Sequence, residues 1–308
     1  MKTNEAALPA RRRSSWRRSG WPDRGFDIVV YGLVSLAIAV TLYPFVYVFS
    51  MSISDPASAS SGEVWLLPKG FSLSAFNAIV HENGIWRAYL NTILYAVVGT
   101  VLTLVVTLLA AYPLARKEFV LKKPLMTVLL ITMFISGGLI PSFIVINKLG
   151  LYDTMWAIIL PGLVSAWNVI LVKTYIQNTI PEELIEASRM DGLNDVSILS
   201  KVVLPLSAPI VAVIALYTAV GYWNSYFSVM VYMPSAEKQT LQIYLMRVLV
   251  QNSNDLTQAN AFFNPGQFIA SIQLKYALII FVVTPIILIY PFLQKYFIKG
   301  VLVGSLKG

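Results

Sequence analysis

Acidic and amide side chains are concentrated in one short segment, "EASRMDGLNDVSILSKVVLP", which covers residues 186–205 and lies between two long apolar stretches. Its carboxylates, on Glu186, Asp191 and Asp195, are groups that could serve acid–base or metal chemistry. The chain contains no convincing pair of catalytic carboxylates and no nucleophile accompanied by a base. It has no Cys, and its single His argues against a His-based metal centre. We therefore expect no catalytic residue and no metal site, and we interpret the segment as a binding surface.

Two short helices should position the polar side chains of this segment. Thr179, followed three residues later by Glu182, fits a capping box at the start of the first helix. Gly192 should end that helix, because glycine adopts the left-handed conformation that other residues avoid. Asn194 or Asp195 can then cap a second short helix that leads directly into the next apolar stretch.

Helices of this length are marginal alone in water, since about 12–15 residues are needed for stability. They must therefore pack against something. Leu184, Ala187 and Ser188 form a small apolar side next to Glu183 and Glu186. Acidic residues outnumber basic ones here, whereas helices that lie on a lipid surface tend to be basic. The pattern favours a protein partner over lipid headgroups.

The rest of the chain is typical of a polytopic membrane protein. Apolar residues make up 57% of the sequence, charged residues only 12%, and the mean hydropathy is +0.69. Its apolar blocks are long enough for membrane helices, which need about 20 residues. We predict an all-α fold with six transmembrane helices, near residues 27–50, 88–115, 124–146, 154–176, 203–232 and 276–294.

Basic residues predict the orientation of these spans. With the N-terminus in the cytoplasm, 17 of the 23 Lys and Arg residues lie on the inner side and 6 on the outer side. Both termini and the loop 177–202, between the fourth and fifth spans, are therefore expected to be cytoplasmic. Residues 1–26 form a basic tail that serves as a topology signal or recognises lipid or a partner, and residues 301–308 form a second tail. This distribution favours the lipid bilayer over nucleic acid as the partner of the basic charge.

Two expected outer segments are too long for simple turns. Residues 51–87 should contain a short surface helix, because Leu73, Phe76 and Val80 follow helical spacing. Residues 233–275 are rich in Asn and Gln, and they form either a docking surface for an extracytoplasmic partner or a passive linker.

The polar segment resembles the EAA loop of permease subunits in binding-protein-dependent ABC importers. Glu186-Ala187-Ser188, then Gly192, then Val202 and Leu204-Pro205 follow the spacing of that loop; Ser188 replaces an Ala and Val202 an Ile. "SGGLIPSFIVINKLGLYDTMWAIILPGLVSAWNVILVKTYI", "YWNSYF" and "YPFLQKYFIKGVLVGSLKG" are similar to the carbohydrate-uptake branch, the maltose-permease-like member of a heterodimer. More narrowly, they are similar to permeases for complex oligosaccharides such as pectic or alginate fragments.

The resemblance implies a set of partners and roles. The partners are a second homologous permease, two ABC ATPase subunits, an extracytoplasmic solute-binding protein and the bacterial inner membrane. The residues implied in ATPase coupling are Glu186, Ala187, Ser188, Asp191, Gly192, Leu204 and Pro205. In this interpretation Glu186 pairs with a basic group on the ATPase, Ala187 and Ser188 permit close approach, and Gly192 makes the turn. The sequence lacks a G-x-x-x-x-G-K-[ST] loop, so ATP and Mg are expected on the ATPase, and this chain is expected to bind no cofactor and to be no enzyme.

The predicted spans carry almost no ionisable groups away from their ends, whereas ion-coupled secondary carriers usually need such groups near the midplane. Neutral polar and aromatic side chains suit a sugar, and the candidates for a substrate pathway are Asn91, Asn168, Tyr217, Tyr222, Trp223, Asn224 and Tyr226. Interfacial aromatic belts and helix packing are the competing explanation for these residues. The alternative function is a self-contained ion-coupled carrier, and a membrane-embedded enzyme has little support.

Overall fold

The computed structural model describes residues 21–255, 272–289 and 291, and within these ranges the fold is built from helices. Three of them are long and apolar enough to cross a membrane: α1 (Trp21–Ile53), α4 (Asn83–Ala115) and α15 (Ile272–Ile289). They cover the expected spans 27–50 and 88–115 and most of 276–294. The expected C-terminal tail, most of the basic N-terminal tail and part of the 233–275 segment lie outside the described residues.

Three further membrane-length units are sharply bent pairs of helices. α5 (Lys122–Phe134) and α6 (Leu139–Lys148) meet at 117°, and α7 (Trp156–Gly162) and α8 (Ala166–Thr179) meet at 47°. The segment Asp195–Leu206 meets α12 (Ala208–Trp223) at 83°. With each pair taken as one span, the described chain has up to six spans.

The bends divide each of the expected spans 124–146, 154–176 and 203–232 into shorter helices. Gly138, with φ of 80°, breaks the first of these between α5 and α6. The third is broken where Pro205 and Pro209 remove two helical N–H donors, so that the chain passes through a π-helical turn and bends at Ser207. α12 also ends at Trp223, and α13 (Phe227–Tyr232) is a separate helix.

α4 is the helix around which the others pack, chiefly α8 and α12. Small residues recur on its buried face at spacings of three and four, which lets neighbouring helices approach closely. These residues are Ala88, Thr92, Ala96, Gly99, Thr103, Thr107 and Ala111. By contrast, the most apolar stretch of α1 has no buried residue, as suits a helix facing hydrocarbon, and the helix packs on α15 near its C-terminal end, where Tyr47 contacts Tyr276.

Short helices cover the end of the molecule where α4 begins. They are α2 (Pro56–Ser60), α3 (Ser74–His81), a 3₁₀ turn (Ala236–Lys238) and α14 (Leu241–Asp255). α3 is the expected surface helix, but its buried side chains are Ala75 and Ile79. Leu73 and Val80 are about half exposed. Leu73 is the cap residue of the helix and not part of its first turn.

Candidate functional site

The polar segment folds as two short helices, α9 (Glu182–Met190) and α10 (Asp195–Ile198), which together we call the elbow. Between them, Gly192 has φ of 82°. Its N–H donates to the carbonyl of Arg189 at 2.9 Å, and the N–H of Leu193 donates to the carbonyl of Ser188 at 3.1 Å. This is the Schellman arrangement that ends a helix with glycine, and it confirms the predicted turn. Asn194, rather than Asp195, caps α10 by accepting from the N–H of Ser197 at 2.9 Å.

The predicted capping box at the start of the elbow is wrong. Thr179 is the last residue of α8, and Pro181 takes the cap position of α9 without a side-chain hydrogen bond. The reason is local, since the residue before a proline is kept out of the helical region and Ile180 is accordingly extended. Glu182 instead pairs with Lys117, whose Nζ lies 2.6 Å from its Oε2.

One side of the elbow is packed into the protein and the other is open. Ile185 and Ile198 join the hydrophobic cluster formed by the ends of α4 and α8. Ser188 is also buried, and its hydroxyl donates to the carbonyl of Leu184 at 2.7 Å. Ser188 therefore faces its own fold, which corrects the expectation that it lies on the surface a partner approaches.

The open side of the elbow mixes acidic and apolar groups. Its exposed residues are Glu183, Leu184, Glu186, Ala187, Met190, Asp191 and Val196. Met190 is 89% exposed and Val196 73%. Large apolar side chains this exposed beside carboxylates are typical of a protein–protein contact.

The guanidinium of Arg189 connects the elbow to the turn between α4 and α5. Its Nη1 lies 2.9 Å from Oε2 of Glu118, and its Nη2 lies 3.1 Å from Oδ1 of Asp195. These hydrogen bonds raise the pKa of Arg189, and the bond from Arg189 is the main reason why the pKa of Glu118 lies below its usual range. Nη2 of Arg116, at the end of α4, approaches the same Glu118 oxygen at 3.5 Å.

The elbow leads directly into α12 through Leu204 and Pro205. Both residues belong to α11 (Leu204–Leu206), which follows the π-helical turn and precedes the 83° bend at Ser207. Ser207 is buried, and its N–H donates to the carbonyl of Val203 at 2.8 Å, so helical hydrogen bonding extends as far as the bend.

The other end of α12 borders a polar cavity of about 330 Å³. The cavity lies between α4, α7, α8, α12 and α13, and its polar lining consists of hydroxyl and amide groups without a charged side chain. Its lining residues are Thr103, Ile158, Gly162, Asn168, Tyr217, Thr218, Gly221, Tyr222, Ser225 and Ser228. These groups can donate to and accept from hydroxyls of a neutral or polyhydroxylated ligand.

Of the predicted pathway residues, the structure brings Asn168, Tyr217 and Tyr222 to this cavity. Tyr222 is buried, and its hydroxyl donates to the carbonyl of Ile159 at 3.3 Å. Sequence reasoning missed Thr103 and three further hydroxyl residues of the lining, Thr218, Ser225 and Ser228. A Thr or Ser in an apolar helix has no distinctive pattern, because it also occurs where it bonds only to its own backbone.

The other four predicted pathway residues lie elsewhere. Trp223 lines a separate apolar groove between α4, α12 and α15. Nδ2 of Asn91 donates to the carbonyls of Glu237 and Gln239, at 2.8 and 3.1 Å. Oδ1 of Asn224 accepts from Gln242 at 3.2 Å, and the ring of Tyr226 packs on Phe227. None of these four side chains lines the polar cavity.

Across the part of the chain that the structure describes, no three His, Asp or Glu side chains are grouped so as to hold a metal ion. The elbow carboxylates instead meet cations of the protein or point outwards. The arrangement thus combines an exposed contact surface and a polar cavity at opposite ends of one helix.

Residues 103–303, which include the elbow and the cavity, match the family of binding-protein-dependent transport system inner membrane components. The chain belongs to this family. The permease is 36% identical over 289 residues to the polygalacturonan/rhamnogalacturonan transport system permease protein YtcP of Bacillus subtilis (strain 168), covering 93% of this chain and 99% of that protein. It is 27% identical over 280 residues to the melibiose/raffinose/stachyose import permease protein MelC of the same organism, with 90% and 95% covered.

A solved structure gives the same result for the fold. One chain of a bacterial ABC transporter involved in the import of the acidic polysaccharide alginate superimposes on the permease with a TM-score of 0.84 at 35% identity, covering 91% of this chain and 99% of that chain. The resemblance to carbohydrate-uptake permeases is confirmed by these relatives. The permease is accordingly an integral membrane protein with an all-α fold.

Proposed function

We propose that this permease is the transmembrane subunit of an ATP-driven importer that moves oligosaccharides into the cytoplasm by alternating access. The observation that carries the proposal is the elbow, which is folded firmly on one side and exposed on the other. Its exposed side is the surface on which a separate ATPase docks, and Glu186, Ala187, Asp191 and Gly192 provide the contact and its turn. ATP and Mg bind to the ATPase and not to this chain.

The proposed topology has six spans, with both termini and the elbow in the cytoplasm. It is supported by the excess of basic residues on that side and by the pairing of bent helices into three broken spans. Broken helices are tolerated in a membrane where their free backbone groups are met by neighbouring helices or line a polar cavity. The polar cavity beside α7, α8 and α12 is such a place.

Coupling follows the path of the chain. A movement of the ATPase displaces the elbow, and Leu204-Pro205 transmit the displacement to α12. At its other end α12 carries Tyr217, Thr218 and Tyr222 into the cavity. The position of α12 therefore links the conformation of the ATPase to that of the substrate pathway, as alternating access requires.

The substrate class follows from the cavity and from the relatives. Hydroxyl and amide groups without a neighbouring charge suit the hydroxyls of a sugar chain. The relatives transport polygalacturonan or rhamnogalacturonan and melibiose, raffinose or stachyose, and the similar solved structure is involved in alginate import. A second homologous permease completes the pathway as a heterodimer, and an extracytoplasmic solute-binding protein delivers the oligosaccharide.

Co-expression and reconstitution test the proposal. The chain is co-expressed and purified with its partner permease and ATPase, placed in liposomes, and supplied with binding protein and labelled oligosaccharide. Uptake that requires ATP on the elbow side and is indifferent to ion gradients is the expected result. Uptake by this chain alone, driven by an ion gradient, would instead identify a self-contained secondary carrier.

A further inference from the structure

Three segments that are separate in the sequence meet at Arg189. Arg189 lies on α9, Asp195 begins α10 on the other side of the Gly192 turn, and Glu118 lies in the turn that joins α4 to α5. One planar guanidinium bonds both carboxylates, at 2.9 and 3.1 Å. The bond to Asp195 spans the bend of the elbow, and the bond to Glu118 ties the elbow to the end of α4.

We propose that Arg189 is a positioning residue that fixes the angle of the elbow and joins it to the α4–α5 turn, so that elbow and α4 end move as one body. The inference rests on the proposed function, since it concerns how a push on the elbow reaches the spans. It assigns to Glu118 and Asp195 the role of anchors for Arg189. Neither belongs to the surface that faces the ATPase in the proposal above.

A cross-link of this kind matters because the two short helices of the elbow are not rigid on their own. α9 and α10 have nine and four residues, too short to be rigid on their own, and the glycine between them has open space around its α-carbon. A cross-link between α9 and α10 adds to the packing of Ile185 and Ile198 and limits rotation at Gly192 when α9 is pushed. A guanidinium that bonds two carboxylates with separate N–H groups restrains both the distance and the orientation of the two helices.

Arg189 differs from the other tie between the elbow and the turn. The Lys117–Glu182 pair is a single bond from a lysine side chain that is 82% exposed, whereas the side chain of Arg189 is 40% exposed and bonds two carboxylates. Glu118, by contrast, is flanked by the buried Arg116 as well as by Arg189. Removal of the Arg189 charge leaves Glu118 with Arg116 alone, at 3.5 Å, and leaves Asp195 without an ion-pair partner among the described residues.

The first test compares variants in the complete reconstituted complex, with oligosaccharide transported per ATP hydrolysed as the readout. Arg189→Gln should lower this ratio at least threefold while the ATPase still copurifies. Arg189→Lys should give a ratio between those of the native protein and Arg189→Gln, because an ammonium keeps the charge but cannot form the planar pair of hydrogen bonds. The matched control is Arg87→Gln, which removes another exposed ion pair, with Glu237, and should leave the ratio unchanged. An unchanged ratio in Arg189→Gln would overturn the proposal.

The second test measures rigidity directly and is independent of the ratio. The chain has no Cys, so spin labels can be placed on Val120→Cys and Met190→Cys without removing native thiols, and both sites are 89% exposed. In the complex with native Arg189, the distance distribution between the labels should be the same without nucleotide and with trapped ATP. Arg189→Gln should broaden it. A distance that changes with nucleotide in the native background would show that the elbow and the α4–α5 turn move separately.

These outcomes are separable from failure of the proposed function. If the native complex shows no ATP-dependent uptake, the proposed function itself is wrong. If it transports with ATP but the labels move apart, only the bracing role of Arg189 is wrong.

Discussion

The ring of Tyr222 lies against Gly99 so closely that a β-carbon on Gly99 would be 2.5 Å from Cε2 of the ring. Gly162 faces the hydroxyl of the same tyrosine, which also lies 3.4 Å from the hydroxyl of Thr103. Tyr222 on α12 is therefore held in a slot between α4 and α7. The close packing of α12 on α4 depends on the absent side chain at Gly99.

Replacement of Gly99 by alanine should destabilise the permease. The added methyl group meets a ring that is buried and bonded, so overpacking should cost about 1–3 kcal/mol. We expect a lower thermal midpoint of the detergent-solubilised protein. Gly32→Ala is the control, because nothing lies within 4 Å of its added β-carbon and alanine favours a helix. Equal thermal midpoints for the two variants would contradict the close packing of Tyr222 against Gly99.

Gly192→Val should uncouple transport from ATP hydrolysis while leaving membrane insertion intact. The position has φ of 82°, and the left-handed conformation costs about 1–2 kcal/mol for a residue with a side chain. Because an added β-carbon meets nothing within 4 Å, the defect would come from the backbone alone. Uptake and complex recovery are measured together. Gly192→Asn should remain active, since asparagine tolerates this conformation, and equal loss in both variants would point to the side chain instead.

Reversal of the charge at Glu186 should weaken binding of the ATPase. The side chain lies on the exposed side of the elbow, where it is proposed to meet a basic group. A like charge across that contact should weaken binding about tenfold or more, which corresponds to about 1.4 kcal/mol. Titration of the permease complex with ATPase measures the effect of Glu186→Lys. Glu237→Lys reverses an acidic residue whose side chain is 80% exposed in the 3₁₀ turn, away from the elbow, and should bind normally. Undiminished binding in Glu186→Lys would exclude this contact.

The parts of the fold predicted from the sequence are those with local signals. The turn at Gly192 and the cap at Asn194 are set by residues next to them, and the spans by runs of apolar residues. The breaks within the spans depend on how glycine and proline positions combine with tertiary packing. The contacts of Asn91 and the burial of Ser188 were not predicted for a related reason, because they follow from the folded arrangement. Asn91 bonds the backbone near residue 238, which no local pattern indicates.

Asp153 should make the stability of the permease depend on acid pH. Its carboxylate accepts from Nζ of Lys238 and from the hydroxyl of Ser235, both at 2.7 Å, and these bonds hold its pKa below the usual range. A lowered pKa means that the stabilisation is present above the unfolded value of about 4 and is lost as pH falls through the lower folded value. Asp153→Asn should therefore flatten the fall in thermal midpoint below about pH 4. Asparagine also suits the positive φ of 57° at this position, so the backbone is preserved. An equal acid-induced fall in the thermal midpoint of both proteins would show that titratable groups other than Asp153 cause the loss of stability.

Two asparagines that looked alike in the sequence should differ in transport. Asn168 lines the polar cavity, whereas Asn91 holds the carbonyls of Glu237 and Gln239. In Asn168→Ala, a hydrogen-bonding group is lost from the pathway, and we expect about a tenfold lower rate of ATP-driven uptake at limiting oligosaccharide, equivalent to about 1.4 kcal/mol. Its thermal midpoint should stay close to that of the native protein, because no side-chain hydrogen bond of Asn168 to another described residue is lost.

Asn91→Ala should show the opposite pattern. It leaves two backbone carbonyls without their donor, so the thermal midpoint should fall while the dependence of uptake on oligosaccharide concentration is retained. Uptake at several concentrations and thermal unfolding of the same preparations separate the two variants. If Asn91→Ala changed the concentration dependence and Asn168→Ala did not, the substrate would pass beside the beginning of α4 and not through the cavity bordered by α12.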